Sequence, residues 1–135
     1  WHDYFKNQKN IVGIDIFIRT DFEKTKNNLD GFNVKIHKVD SFEGDGKDRK
    51  EFENIYSGGF DIIIDDGLHK DYAQIKTFNN FSTMINPGGI YIIEDLEPHN
   101  IENIKESIKD VEIYQSNSHN PREGNYKQNY GVIRF

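Results

Sequence analysis

The sequence predicts an α/β fold with a mostly parallel sheet that closes in an antiparallel hairpin. Two short isoleucine-rich runs, 60–64 and 90–93, are bounded by glycines and are typical of strands buried on both faces. The segment between them is long enough for one crossover helix, which neighbouring parallel strands require. Two strand-like runs at the end of the chain, 111–115 and 130–135, have no helix between them and must therefore pair antiparallel.

The first third of the chain adds two strands and a helix. The run 11–17 predicts a buried strand, and Thr20 with Glu23 forms a capping box that begins a helix ending at Gly31. Alternation of apolar and polar side chains over 33–39 indicates an edge or half-buried strand. We therefore expect a strand, a helix and a second strand in this region.

Three further helices follow from the spacing of apolar residues. A short helix after the polar loop 40–47 carries an inner face made of Phe52, Ile55 and Tyr56. Between 71 and 85 the apolar side chains recur every three or four residues, at Tyr72, Ile75, Phe78, Phe81 and Ile85. Asn100 is placed to cap the last helix.

Length and composition indicate one domain over residues 1–135 and exclude several classes of function. The chain has no cysteine, so any metal must be held by oxygen or imidazole. A net charge of −6 with dispersed basic residues argues against nucleic acid as a partner. No apolar run approaches the roughly 20 residues of a membrane span, and the first ten residues lack an apolar signal region. We expect a cytoplasmic protein without a membrane partner.

Paired carboxylates follow both central strands. Asp65 and Asp66 end the first strand, and Glu94 and Asp95 end the second. The carboxyl ends of parallel strands lie at one edge of a sheet, where ligands of open α/β sheets bind. These acids could hold a divalent cation, or they could cap the following helices and loops.

Two motifs carry a family resemblance: IDDGLH at 64–69 and PGGIYIIEDL at 87–96. Together they resemble the class I S-adenosylmethionine (SAM) dependent methyltransferases. The similarity is greatest to the macrocin and mycinamicin type sugar O-methyltransferases and their relatives around cephalosporin hydroxylase. WHDYFKNQKNIVGIDIF at 1–17 and VDSFEGDGKD at 39–48 resemble the segments around the second and third strands of that family.

The resemblance implies a Rossmann-like three-layer sandwich that lacks the first strand and its glycine-rich turn. We therefore expect the chain to be an N-terminally truncated fragment that binds SAM poorly by itself. We also expect the strands at 11–17 and 60–64 to pair directly, because a buried unpaired strand edge would be costly.

For the metal and the reaction, the resemblance implies Mg²⁺ held by Asp66, Glu94 and Asp95, with His69 as the catalytic base. An imidazole titrates near neutral pH and suits that task. The alternative, non-functional interpretation is that His69 is a solvated histidine in a turn.

For the cofactor, the resemblance implies that Asp15 accepts hydrogen bonds from the SAM ribose and that Asp40 and Ser41 lie near its adenine. Asp65 would face the amino acid moiety of SAM. Asp15, Asp40 and Ser41 could equally cap loops.

The implied function is Mg²⁺-assisted O-methyl transfer from SAM to a hydroxyl of a small molecule or sugar, with homo-oligomerisation left open. The alternative is a non-catalytic truncated or degenerate Rossmann-like domain that binds no SAM, or an interaction module. What precedes Trp1 would separate these hypotheses. An oxygenase near the cephalosporin hydroxylase group is a further alternative. The stretch 97–100 departs from the aromatic residues usual in the sugar enzymes, so the acceptor stays open.

Overall fold

The structure is a computed structural model that describes residues 10–43, 46–120 and 124–135, and its side chains are described outside 118–120 and 124–126. Residues 1–9 and 44–45, which belong to the two upstream segments of the family resemblance, lie outside the described residues.

The chain divides into two compact units, Trp1–Ile55 and Tyr56–Phe135, and each is described by itself. That the whole chain forms one domain stays a prediction.

In the first unit, strand β1 (Ile11–Asp15) pairs in parallel with β2 (Val34–Lys38). Helix α1 (Phe22–Asn28) connects them, and α2 (Lys47–Ile55) follows. The strand–helix–strand prediction is confirmed.

Two details of the first unit differ from the prediction. The N-cap of α1 is Asp21, whose Oδ1 accepts a hydrogen bond from the amide of Lys24 at 2.8 Å, so the capping box based on Thr20 is wrong by one residue. On α2, Phe52 is buried with its ring 5.5 Å from the ring of His37, whereas Ile55 is 62% exposed. Ile55 terminates the helix and therefore does not share its buried face.

The second unit contains a four-stranded sheet in the order β3-β4-β6-β5. Its elements are β3 (Phe60–Asp65), α3 (Asp71–Phe81), β4 (Ile85–Ile93), α4 (Ile101–Ser107), β5 (Glu112–Asn120) and β6 (Gly124–Arg134). β3 and β4 are parallel, while β6 is antiparallel to both β4 and β5. The predicted combination of parallel strands with a closing antiparallel hairpin is confirmed.

The predicted apolar face of helix α3 is confirmed only in part: Phe81 is buried, but the helix ends at Phe81, and Ile85 belongs to β4. Tyr72 is 57% exposed, and the buried positions are Ala73, Gln74, Thr77, Asn80 and Phe81. A small side chain at Ala73 lets the helix approach its neighbours, and the amide of Gln74 is hydrogen-bonded in the interior. The interior of this unit is completed by fully buried Tyr91, Ile93, Ile104 and Ile108.

The expected ladder between 11–17 and 60–64 is wrong. Over the described residues, β1 pairs only with β2 and β3 only with β4. Both strands are mostly half-buried rather than fully buried.

Within the described ranges, no helix has both the length and the apolar character that crossing a membrane requires.

In the Pro-Gly-Gly stretch of β4, the structure explains why each of the two positions is occupied by glycine. Gly88 has φ +83°, a conformation that side chains disfavour. A Cβ atom on Gly89 would lie 2.8 Å from the carbonyl oxygen of Asp61 and 2.8 Å from the Ile85 side chain. The amide of Gly88 also donates to the carbonyl of Phe135 at 2.8 Å, and the Phe135 amide donates back to Gly89 at 3.0 Å. This turn therefore joins β3, β4 and the end of the chain.

We expect Gly89→Ala to lower the free energy of unfolding by roughly 1–3 kcal/mol, because the new methyl group meets backbone that cannot move aside. Urea denaturation would measure the loss. Gly58→Ala is the matched control, since a Cβ there meets nothing within 4 Å, and its effect should stay within about 0.5 kcal/mol. Equal effects of the two substitutions would contradict the packing argument.

Candidate metal-binding and catalytic site

The two acidic pairs meet at one edge of the second unit's sheet because β3 and β4 are parallel and in register. Asp65 lies opposite Ile93, and the amide of Glu94 donates to the carbonyl of Asp65 at 2.9 Å. Asp66 follows β3 directly and Asp95 follows Glu94 beyond β4, and an oxygen of each carboxylate lies within 4.8 Å of the other. This is the placement that the sequence predicted.

Asp65 and Asp66 occupy opposite environments, as consecutive residues at a strand end should. Asp65 is 7% exposed, whereas Asp66 is exposed. One oxygen of Asp65 accepts a hydrogen bond from the Gly67 amide at 3.1 Å, and the other accepts from the Tyr91 hydroxyl at 3.4 Å. Burial raises the pKa of Asp65 to about 6, and these two hydrogen bonds limit the rise.

His69 lies between the two exposed carboxylates. Its Nε2 is 3.2 Å from Oδ1 of Asp66, and its Nδ1 is 3.7 Å from Oδ2 of Asp95. One ligand atom from each of these three residues lies within 4.8 Å of the other two. We call Asp66, His69 and Asp95 the rim cluster. The sequence predicted all three residues at this edge.

Asp95 has a left-handed backbone conformation, with φ +51°. This region costs most residues roughly 1–2 kcal/mol, although aspartate tolerates it better than most. Its Oδ1 accepts a hydrogen bond from Nε2 of Gln128 on β6, so only Oδ2 faces His69. The backbone turn at Asp95 thus directs its carboxylate into the rim cluster.

Glu94 lies beside the rim cluster but outside the 4.8 Å group. Its pKa is raised, first by burial and then by the negative charges of Asp66 and Asp95. Its carbonyl oxygen accepts a hydrogen bond from Nε2 of Gln74 on α3 at 3.0 Å. The structure therefore shows three carboxylates close enough to affect one another, with Glu94 the most withdrawn.

Sequence reasoning did not identify Gln74 and Gln128 as neighbours of the site. Gln74 is 2% exposed, and its Oε1 has no hydrogen-bond partner within the described part of the chain. Nothing in a single sequence distinguishes a buried glutamine from the solvated ones usual on helices. Gln128 lies 33 residues after its partner Asp95, a separation that local patterns cannot detect.

The predicted cofactor residues of the first unit lie at the carboxyl ends of β1 and β2. Asp15 accepts a hydrogen bond from the amide of Phe17 at 2.5 Å. Asp40 accepts from the amides of Phe42 at 2.9 Å and Glu43 at 3.3 Å. Each aspartate thus caps its own loop, and Ser41 lies within the second loop. Their contact with SAM stays a prediction.

The stretch that departs from the family pattern carries an ion-pair group. Glu97 accepts hydrogen bonds from Nζ of Lys70 at 3.2 Å on Oε1 and 3.3 Å on Oε2, and His99 Nε2 lies 3.1 Å from the same Oε2. Asn100 is buried at the start of α4, but its side chain makes no capping bond, so the predicted capping role is wrong. The preceding turn of 3₁₀ helix, Pro98–Asn100, supplies the entry to α4 instead.

Comparison with known proteins identifies relatives of the chain, although no protein-family model matches it. It is 36% identical over 96 residues to the 8-demethyl-8-(2-methoxy-alpha-L-rhamnosyl)-tetracenomycin-C 3'-O-methyltransferase of Streptomyces olivaceus, covering 71% of this chain and 22% of that protein. It is 30% identical over 98 residues to the mycinamicin VI 2''-O-methyltransferase of Micromonospora griseorubida, covering 71% of this chain and 21% of that protein. The chain thus spans less than a quarter of these curated relatives.

A solved structure shows the fold. The N-methyltransferase NodS of Bradyrhizobium japonicum superposes with a TM-score of 0.61 at 14% identity, covering 98% of this chain and 77% of NodS. The chain has the Rossmann-like fold of the class I SAM-dependent methyltransferases. Its curated homologues within that class are sugar O-methyltransferases, and the chain corresponds to one region of them.

Proposed function

We propose that the complete protein is a SAM-dependent O-methyltransferase that uses Mg²⁺ and acts on a hydroxyl group of a small molecule or sugar. The observation that carries this proposal is the rim cluster, in which two carboxylates and an imidazole converge at the carboxyl edge of two parallel strands. The homologous sugar O-methyltransferases support the same reaction class.

The residues proposed to hold the cation are Asp66, Glu94 and Asp95. Carboxylate oxygens are the ligands that Mg²⁺ prefers, and the pKa of Glu94 is raised by burial and by the negative charges of Asp66 and Asp95, which lie close enough to act on it. The donor set therefore fits the ion. Opposite ligands of Mg²⁺ lie about 4.2 Å apart, and an oxygen of Asp66 lies within 4.8 Å of an oxygen of Asp95, whereas Glu94 is outside that group and would have to approach the ion. When bound, the cation would polarise the acceptor hydroxyl and lower its pKa.

His69 is proposed as the base that takes the proton from the acceptor hydroxyl. It lies at the rim with its side chain 38% exposed, so an acceptor from solvent can reach it. Oδ1 of Asp66 lies 3.2 Å from Nε2 and orients the imidazole, whereas Nδ1 lies 3.7 Å from Oδ2 of Asp95, beyond hydrogen-bond distance, and is the nitrogen proposed to take the proton. Positioning of acceptor and methyl group supplies the remaining acceleration.

The proposed SAM contacts are Asp15 for the ribose, Asp40 and Ser41 for the adenine, and Asp65 for the amino acid moiety. The support for the first three is their position at the carboxyl ends of parallel strands. Asp65 keeps internal hydrogen bonds to Gly67 and Tyr91, so a SAM ammonium would join an already ordered carboxylate.

The activity is tested with the complete protein, methyl-labelled SAM and a panel of sugar-bearing acceptors that includes mycinamicin VI. We expect label in the acceptor when Mg²⁺ is present and none after chelation with EDTA. Transfer that is unaffected by EDTA would remove the metal from the proposal. Failure to bind labelled SAM in equilibrium dialysis would favour the non-catalytic domain.

We expect Asp66→Asn to weaken Mg²⁺ binding at least tenfold. Mutating a residue that only hydrogen-bonds to a metal ligand already lowers metal affinity about 10–100-fold, and loss of a ligand itself should cost no less. Isothermal titration of the complete protein would measure this. The control is Asp61→Asn at the opposite end of β3, which removes the same charge far from the rim cluster and should leave the affinity unchanged. An equal loss in both variants would indicate general electrostatics rather than ligation.

We expect His69→Ala to lower kcat by roughly 10²–10⁴ with SAM affinity nearly unchanged, as when one proton-transfer group is lost. His99→Ala is the matched control, because this histidine is 74% exposed and pairs with Glu97 outside the rim cluster. Steady-state kinetics and equilibrium dialysis provide the two readouts. An unchanged kcat in His69→Ala would assign the residue to structure.

A further inference from the structure

The C-terminal hairpin reaches the rim cluster through one side chain, Gln128 of β6. Its Nε2 donates to Oδ1 of Asp95, 33 residues away in sequence. Asp95 then has one oxygen engaged by the hairpin, while Oδ2 lies 3.7 Å from Nδ1 of His69. The two oxygens of this carboxylate therefore have separate partners on opposite sides.

The orientation of the Gln128 amide is itself determined by the hairpin. The hydroxyl of Tyr130 donates to Oε1 of Gln128 at 2.6 Å, and Ser116 Oγ on β5 donates to the Tyr130 hydroxyl at 3.3 Å. Since carboxylate oxygens accept hydrogen bonds, the nitrogen end of the amide must face Asp95, and the oxygen end is then the one that accepts from Tyr130. A chain of three hydrogen bonds thus runs from β5 through β6 to the edge of the sheet.

The backbone around Asp95 is held from the other side by α3. Nε2 of Gln74 donates to the carbonyl of Glu94 at 3.0 Å, and the Gln74 side chain is 2% exposed. Asp95 itself has φ +51°, a conformation that persists when its surroundings determine it. Two glutamines from separate elements therefore bracket the Glu94–Asp95 turn.

We propose that Gln128 is a positioning residue: with Tyr130 behind it, it holds the Asp95 carboxylate in the orientation that presents Oδ2 to the rim cluster. This inference rests on the proposed function, since it gives the antiparallel hairpin a part in preparing the site for a divalent cation. Gln128 does not touch the reacting atoms, and it acts through Asp95.

The test compares Gln128→Leu with Gln115→Leu in the complete protein. Both glutamines lie on the hairpin, but Gln115 donates to Asn129 rather than to Asp95. We expect Gln128→Leu to weaken Mg²⁺ binding about tenfold, in the range for a lost partner of a metal ligand, and Gln115→Leu to leave it within twofold. SAM affinity should be unchanged in both variants. Equal Mg²⁺ affinities in the two variants would overturn the proposal.

A metal-free readout separates this inference from the proposed function. The ¹³C chemical shift of the Asp95 carboxylate, measured with EDTA present, should change in Gln128→Leu and not in Gln115→Leu. If the wild-type protein binds no Mg²⁺, the metal part of the proposed function fails, whereas the carboxylate shift still decides whether Gln128 positions Asp95. An unchanged shift would refute the positioning role.

Tyr130→Phe provides a milder variant that retains the ring and removes the hydroxyl that donates to Gln128 and accepts from Ser116. We expect a smaller change of the Asp95 shift and of Mg²⁺ affinity, both in the direction seen for Gln128→Leu. If Gln128→Leu does not fold, as judged by circular dichroism, Tyr130→Phe carries the decision. An Asp95 shift equal to that of the wild type in Tyr130→Phe would then overturn the inference.

Discussion

The site depends on the parallel pairing of β3 with β4, which keeps one register from Ile62 to Asp65 after a shift between Phe60 and Ile62. The ladder continues one residue past β4, through the hydrogen bond from the Glu94 amide to the Asp65 carbonyl. A shift of one residue would exchange the buried Asp65 with the exposed Asp66, because successive side chains point to opposite faces. The Pro-Gly-Gly turn limits such a shift, since Gly89 is in contact with the backbone of β3.

Charge is distributed unequally around this edge. Asp65 is shielded from water and has a pKa raised to about 6 by its burial, with Tyr91 and Gly67 as hydrogen-bond donors. The side chain of Asp66 is 64% exposed, and that of Asp95 is 38% exposed. The same sheet edge therefore holds one internal carboxylate that is already hydrogen-bonded and outer carboxylates that solvent can reach.

The elements and the acidic edge were predictable because they depend on local patterns. Apolar runs, glycine boundaries and the need for a crossover are enough to predict Asp66, His69 and Asp95 at one edge. The buried face of α3 was not predictable, because Gln74 and Thr77 are polar residues whose burial depends on partners elsewhere in the fold. The contact of Gln128 with Asp95 is non-local for the same reason.

The left-handed conformation of Asp95 also limits which amino acids can stand at the two acidic positions. Aspartate and asparagine enter this region with a small penalty, whereas a longer or branched side chain does so rarely. Glu94 is not among the residues with positive φ, so its backbone places no such limit on the side chain. The order Glu-Asp is therefore not interchangeable with Asp-Glu, although both orders carry the same charge. An evolutionary path that conserves charge but reverses the pair would have to rebuild the turn itself.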